Sequence, residues 1–310
     1  MTGLFKETMA ACIISLIFGA LAIGLHRGAV SASVLQFVLL TALWAAVNVA
    51  VFSFIDLRKI KKINQLLQDC DLGNFLGIYQ SLSKRRANKA NKAMVQLNLA
   101  SAYINTGNDA AAGQVLYGIN RKHFPKGRAG DLYEFVYHNN FFAYLLDTGD
   151  LTGAARALEQ MGEIQQAREL SAAKNPFPGL YEHQQYVLNV KNGIYEGAEL
   201  FFSEAAEKHE HKINRVAAKY TLGKIYLHQG RPDQAALAFE YVIEHGGSTI
   251  YRVRAAERLE ALGRFVCLPL TQMPPVKVFS TAEKAALAFY CGLVICVALF
   301  ALVSAVARLL

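Results

Sequence analysis

Cysteine is scarce and poorly spaced in this chain: there are five in 310 residues, with no C-x-x-C pair and no histidines at matching metal-ligand spacing. That pattern excludes a zinc finger and a disulfide framework. Cys12, Cys291 and Cys296 lie in apolar runs, where they act as small hydrophobes, and Cys70 and Cys267 stand far apart. A reducing compartment fits. H-E-x-x-H is missing as well. His209-Glu210-His211 puts two histidines two residues apart, where they diverge on a helix, so the stretch reads as a solvated helix end. No phosphate loop occurs, because the segment from Gly149 to Gly153 lacks the lysine and the preceding strand that a P-loop needs. The remaining histidines assemble into no Ser/His/Asp or Cys/His set. The expectation is a protein that is not an enzyme and has no cofactor, no metal and no small-molecule substrate.

A uniform basic character is also absent, although the net charge is +8. Positions 58 to 92 hold nine basic residues (Arg58, Lys59, Lys61, Lys62, Lys84, Arg85, Arg86, Lys89 and Lys92) against Asp69 and Asp71, whereas positions 93 to 284 hold 20 basic and 20 acidic residues. The excess is local, which argues against nucleic acid, since a nucleic-acid-binding domain carries a basic face across its fold.

Long apolar runs are present, and they dominate the two ends. Thr8 to Leu25 is 18 uncharged residues, Gly28 to Ile55 is 28 and Ala285 to Ala307 is 23, against the roughly 20 that a membrane-spanning helix needs. The first run also admits reading as a signal peptide, with Val30-Ser31-Ala32 as a loose cleavage triplet. Against that, Lys6 is offset by Glu7 and a second run follows almost at once, so a membrane hairpin over about 8–25 and 30–55 is the stronger expectation. Arg58, Lys59, Lys61 and Lys62 follow the second run, and the loop between the two runs offers only His26 and Arg27. By the positive-inside rule residues 56–265 are cytoplasmic, at the cell membrane. Pro269, Pro274 and Pro275 mark residues 266–281 as a linker, and 282–310 reads as a carboxy-terminal membrane helix. Small-residue rows at Ala11, Ser15 and Gly19 and at Ala42, Ala46 and Ala50, together with Asn48, suit close packing between these spans. Neither proline nor glycine interrupts Val30 to Leu72, so the second span is expected to continue as the first cytoplasmic helix.

The middle of the chain is organised around Arg215 to Gly246, two short amphipathic helices with a turn at Gly230-Arg231-Pro232. Gly223 and Ala235 are small where antiparallel helices must approach, and Tyr226 and Phe239 are large where the gap must be filled. Gly230 tolerates the positive φ that follows a helix C-terminus, and Pro232 pre-sets the first turn of the next helix. The set Leu222, Gly223, Tyr226, Gly230, Ala235 and Phe239 resembles the tetratricopeptide repeat (TPR). Aligning turns on Gly73, Gly107, Gly149, Gly193, Gly230 and Gly263 gives intervals of 34, 42, 44, 37 and 33 residues. One hairpin cannot bury its own apolar face, so stacked neighbours are expected. The resemblance, spanning about Arg58 to Phe265, implies an all-α fold: a TPR-like α-solenoid of five to six hairpins.

That resemblance also implies a protein or peptide partner in a concave groove lined by the first helix of each hairpin. Carried across, the groove positions are Asn105, Asn139, His183, Lys191, Tyr220, Lys224 and His228. The family's carboxylate clamp is not reproduced, because Leu97 and Ser101 stand where lysine and asparagine are expected. The basic run Lys84, Arg85, Arg86, Lys89 and Lys92 has two readings. It is carried back to anionic headgroups by a helix returning toward the bilayer, or it is a solvated loop that helps hold orientation. The function expected is a membrane scaffold, of the kind familiar in bacteria, that binds a protein or peptide partner. The alternative is an accessory subunit of a membrane transport or secretion complex whose spans make the main contacts.

Overall fold

In the computed structural model, which describes residues 61–63, 65–84, 89–167, 179–209 and 211–264, every regular element is helical. No strand occurs among these residues, so the all-α expectation holds for them. The three apolar runs, the linker 266–281 and the join from 55 to 60 lie outside the described residues. Among the described helices none is long and apolar enough to cross a membrane. After helical residues at 61–63 and 65–68 come α1 (Leu72–Ser83), α2 (Lys89–Thr106), α3 (Asp109–Gly118) and a 3-10 turn (Arg121–His123). Then follow α4 (Arg128–Thr148), α5 (Leu151–Ala167), α6 (Leu180–Lys191), α7 (Ala198–Lys208), α8 (Lys212–His228), α9 (Pro232–His245) and α10 (Ile250–Ala261).

The reversals between paired helices share a local mechanism. Gly107, Gly149, Gly193 and Gly230 all have φ between 69° and 88°, a region that costs side-chain-bearing residues a steric clash, and Gly263, just past α10, has φ 75°. The residue after Gly107, Asn108, caps α3 by accepting from Ala111 N at 3.1 Å. Asp150, after Gly149, accepts from Gly153 N at 2.8 Å. Such a cap satisfies one of the helix's orphan N–H groups.

Gly73 does not belong to this series. It lies inside α1, and the first reversal is made by Cys70, at φ 54°, followed by Asp71, which accepts from Asn74 N at 3.2 Å. Counting from Cys70 puts Phe75 where the other hairpins have Ala112, Ala154, Ala198 and Ala235, all of which are buried along with it.

Packing is serial. Each hydrophobic cluster joins one helix pair to the helix that follows. Leu97, Ala100, Ile104, Ala112 and Leu116 of α2 and α3 meet Tyr133, Tyr137 and Phe141 of α4. Phe135 and Phe142 of α4 and Ala154, Leu158 and Met161 of α5 meet Leu180 and Val187 of α6. Helix α8 is buried on two sides, by Ala218, Leu222 and Ile225 against α7 and by Val216 and Tyr220 against α9 and α10. The small-against-large pairing inferred from the sequence is present, since a Cβ on Gly223 would overlap the Phe239 ring.

The first and last described hairpins also touch. Cys70 is fully buried in the cluster built by α8, α9 and α10. Its carbonyl accepts from Ser248 N and from Ser248 Oγ, each at 3.0 Å, and Leu72 N donates to Ser248 Oγ at 2.8 Å. Gln68 Oε1 accepts from Lys212 N at 3.0 Å. Gly247 lies so near Cys70 that an added Cβ would sit 2.9 Å from the cysteine Cβ, and one on Gly107 would sit 2.6 Å from the Ile250 side chain. The described array is thus joined to itself by contacts between residues 143 to 178 positions apart in sequence.

Candidate partner-binding site

The seven groove positions named from the sequence are brought into different environments. Asn105 folds back on its own helix, donating to Ser101 O at 2.8 Å. Asn139 accepts from Gln184 Nε2 at 2.8 Å and so ties α4 to α6. His183 is turned inward, its ring centroid 5.4 Å from Phe202, 5.8 Å from Phe201 and 5.8 Å from His209. Burial first, and then His209, push its pKa down to about 4. His228 is exposed and stacks on Tyr195 with centroids 3.9 Å apart.

Lys191, Tyr220 and Lys224 do converge. Lys191 is exposed at the end of α6. Tyr220 is 7% exposed and packs on Phe239 at 5.8 Å and Tyr251 at 5.6 Å. The Lys224 ammonium sits 5.4 Å from the Tyr220 ring centroid. Burial, reinforced by the charges of Lys191, Arg254 and Arg258, pushes this amine down to about 8, and Asp147 pulls the other way.

Sequence reasoning alone leaves out three neighbours of this group: Asp147, Asp109 and Tyr251. Arg254 on α10 donates to Asp147 Oδ1 at 2.9 Å, with the two side chains 29% and 19% exposed. Burial raises the Asp109 pKa, and Asp147 adds to the rise while Arg254 opposes it. Burial also raises the Tyr251 hydroxyl to about 12. A signal for Asp147 exists in the sequence. It lies in the last turn of α4, where the helix dipole disfavours an acid unless a cation answers it.

The arginines of α10 divide by face. Arg252 is only 9% exposed and donates to Gly247 O at 3.3 Å. Its position explains this, for Arg252 is three, four and seven residues from Ala255, Ala256 and Leu259, which form the buried stripe of α10. Arg254 and Arg258 lie on the adjoining face. Of the basic run, Lys84, Lys89 and Lys92 are exposed, and Arg85 and Arg86 lie outside the described residues.

The site therefore presents cations from α6, α8 and α10 over a tyrosine floor, with one carboxylate from α4 already seated. Among the described residues no group of His, Cys, Asp or Glu has the arrangement to hold a metal ion. Compared with known proteins, the chain matches no family model, no curated protein and no solved structure.

Proposed function

We propose that this chain is a non-enzymatic, membrane-anchored scaffold whose TPR-like helical hairpins bind a protein or peptide partner at the cytoplasmic face. The observation that carries the reading is the convergence of Lys191, Tyr220 and Lys224 from two separate helices onto one patch beside Arg254. Aromatic and cationic groups held by rigid helices suit an extended or helical peptide. The apolar runs at 8–25, 30–55 and 285–307 supply the anchor in this reading, and Lys84, Lys89 and Lys92 supply contact with anionic headgroups.

The test is crosslinking in cells with a photoreactive residue at position 191 or 228, both exposed, and a control at exposed Leu237 on α9. The expected result is a discrete protein adduct from 191 and 228 that is missing from 237. Identical adduct patterns from all three positions would sink the reading.

A further inference from the structure

Around Lys224 the cations outnumber the acids that answer them. Lys191, Arg254 and Arg258 share its surroundings, and the acids there are Asp147 and Asp109. Only Asp147 reaches a cation at contact distance, Arg254 at 2.9 Å. Among the described residues no carboxylate pairs with Lys191, Lys224 or Arg258. On α8, Tyr220 and Lys224 are four residues apart; on α10, Tyr251, Arg254 and Arg258 follow at spacings of three and four. Each set therefore occupies one helix face.

Like charges held together repel, and the buried Tyr220 and half-buried Tyr251 beside them form a wall of low dielectric constant that strengthens the field toward an incoming anion. One anion of carboxylate size is met by a single guanidinium, as Asp147 already is. Four cations on three helices call for several negative charges spaced along a chain. The seated example is an aspartate side chain, so the occupant's chemistry is represented within the fold.

We propose that Lys191, Lys224, Arg254 and Arg258 receive an acidic segment of a partner protein, whose carboxylates compete with Asp147 for Arg254. The proposal rests on the scaffold reading and gives the partner its chemistry. It also gives binding a mechanical effect: when Arg254 leaves Asp147, the only ion pair between α10 and α4 among the described residues is broken.

The test measures fluorescence anisotropy of a labelled Glu-Gly repeat peptide and its Gln-Gly counterpart on the full chain in neutral detergent, with tripolyphosphate as competitor. The glutamate peptide should bind about tenfold more tightly than the glutamine peptide, and added salt should weaken it. Lys191→Gln, at an exposed helix end, and the double variant Lys224→Gln/Arg258→Gln should each weaken it, the double variant about fivefold or more. Asp147→Asn should tighten it by removing the internal competitor. Circular dichroism confirms that each variant keeps its helices. Equal binding of the two peptides, wild-type affinity in both cation variants, or no gain from Asp147→Asn overturns the proposal. Binding of tripolyphosphate without the glutamate peptide also overturns it, and reassigns the site to a phosphate-bearing ligand. These failures leave the scaffold reading standing if positions 191 and 228 still capture a partner; loss of capture with intact peptide binding removes that reading alone.

Discussion

His183 shows how far a polar side chain can be drawn inward by what surrounds it. Its Nδ1 is buried without a hydrogen-bond partner among the described residues, and aromatic rings flank it. His138 is similar: burial, and then the charge of Arg121, lower it to about 4. A histidine in the unfolded chain titrates near 6.5. Between about 6.5 and 4 the unfolded chain therefore binds protons that the folded chain does not. Stability is full above that window and is lost as pH falls through it. Thermal melting of the full chain in detergent should show Tm dropping from pH 7 to pH 4.5, with a shallower drop in His183→Phe. An unchanged slope in that variant would mean that His183 is not held neutral. The sequence places His183 on the first helix of a hairpin, but its ring partners Phe201 and Phe202 belong to the next helix. Spacing within one helix carries no information about them.

At the scale of helices, most of the architecture is legible because it rests on local rules. Gly107, Gly149, Gly193 and Gly230 end helices, Asn108 and Asp150 start them, and the buried alanines five residues past those four glycines let pairs approach. The α8–α9 pair shows how tight this fit is. Replacing Gly223 with alanine drives a methyl into the Phe239 ring, and overpacking of this kind costs about 1–3 kcal/mol. Urea unfolding of the helical signal should register that loss, and wild-type stability in Gly223→Ala would show that α8 and α9 can move apart freely. The one misread reversal is instructive. Cys70 adopts a conformation in which glycine is the usual occupant, and a search for turn glycines settles on Gly73 instead. Long-range packing of Cys70 against α8, α9 and α10, together with the Ser248 bonds, holds the cysteine there, and nothing adjacent in the chain announces it.

For the described array as a whole, the meeting of its first and last hairpins is what sequence reading could not supply. Lys191, Tyr220 and Lys224 were within reach because the repeat resemblance carries groove positions from the first helix of one hairpin, α6, to that of the next, α8. Asp147 and Arg254 are 107 residues apart and meet only because α10 returns to α4. Cys70 provides a probe of this junction. Its thiol is fully buried and burial pushes its pKa up to about 11, so alkylation requires the junction to open. With Cys12, Cys267, Cys291 and Cys296 changed to serine, labelling of Cys70 should be slow. It should quicken in Ser248→Ala, which removes the hydroxyl shared by Leu72 N and the Cys70 carbonyl. Fast labelling of the parent chain, or no change in Ser248→Ala, would show that the two ends are not held together.

The same junction has a consequence during synthesis. Ser248 is made 178 residues after Cys70, which at ribosomal speeds of about 10 residues per second is a wait of roughly 20 s. Throughout that interval the Cys70 thiol and the Leu72 N–H, which the finished molecule covers with its carboxy-terminal hairpins, are left to solvent. A ribosome-associated chaperone that covers exposed apolar surface is expected to engage the newborn chain in this interval, before the carboxy-terminal hairpins emerge.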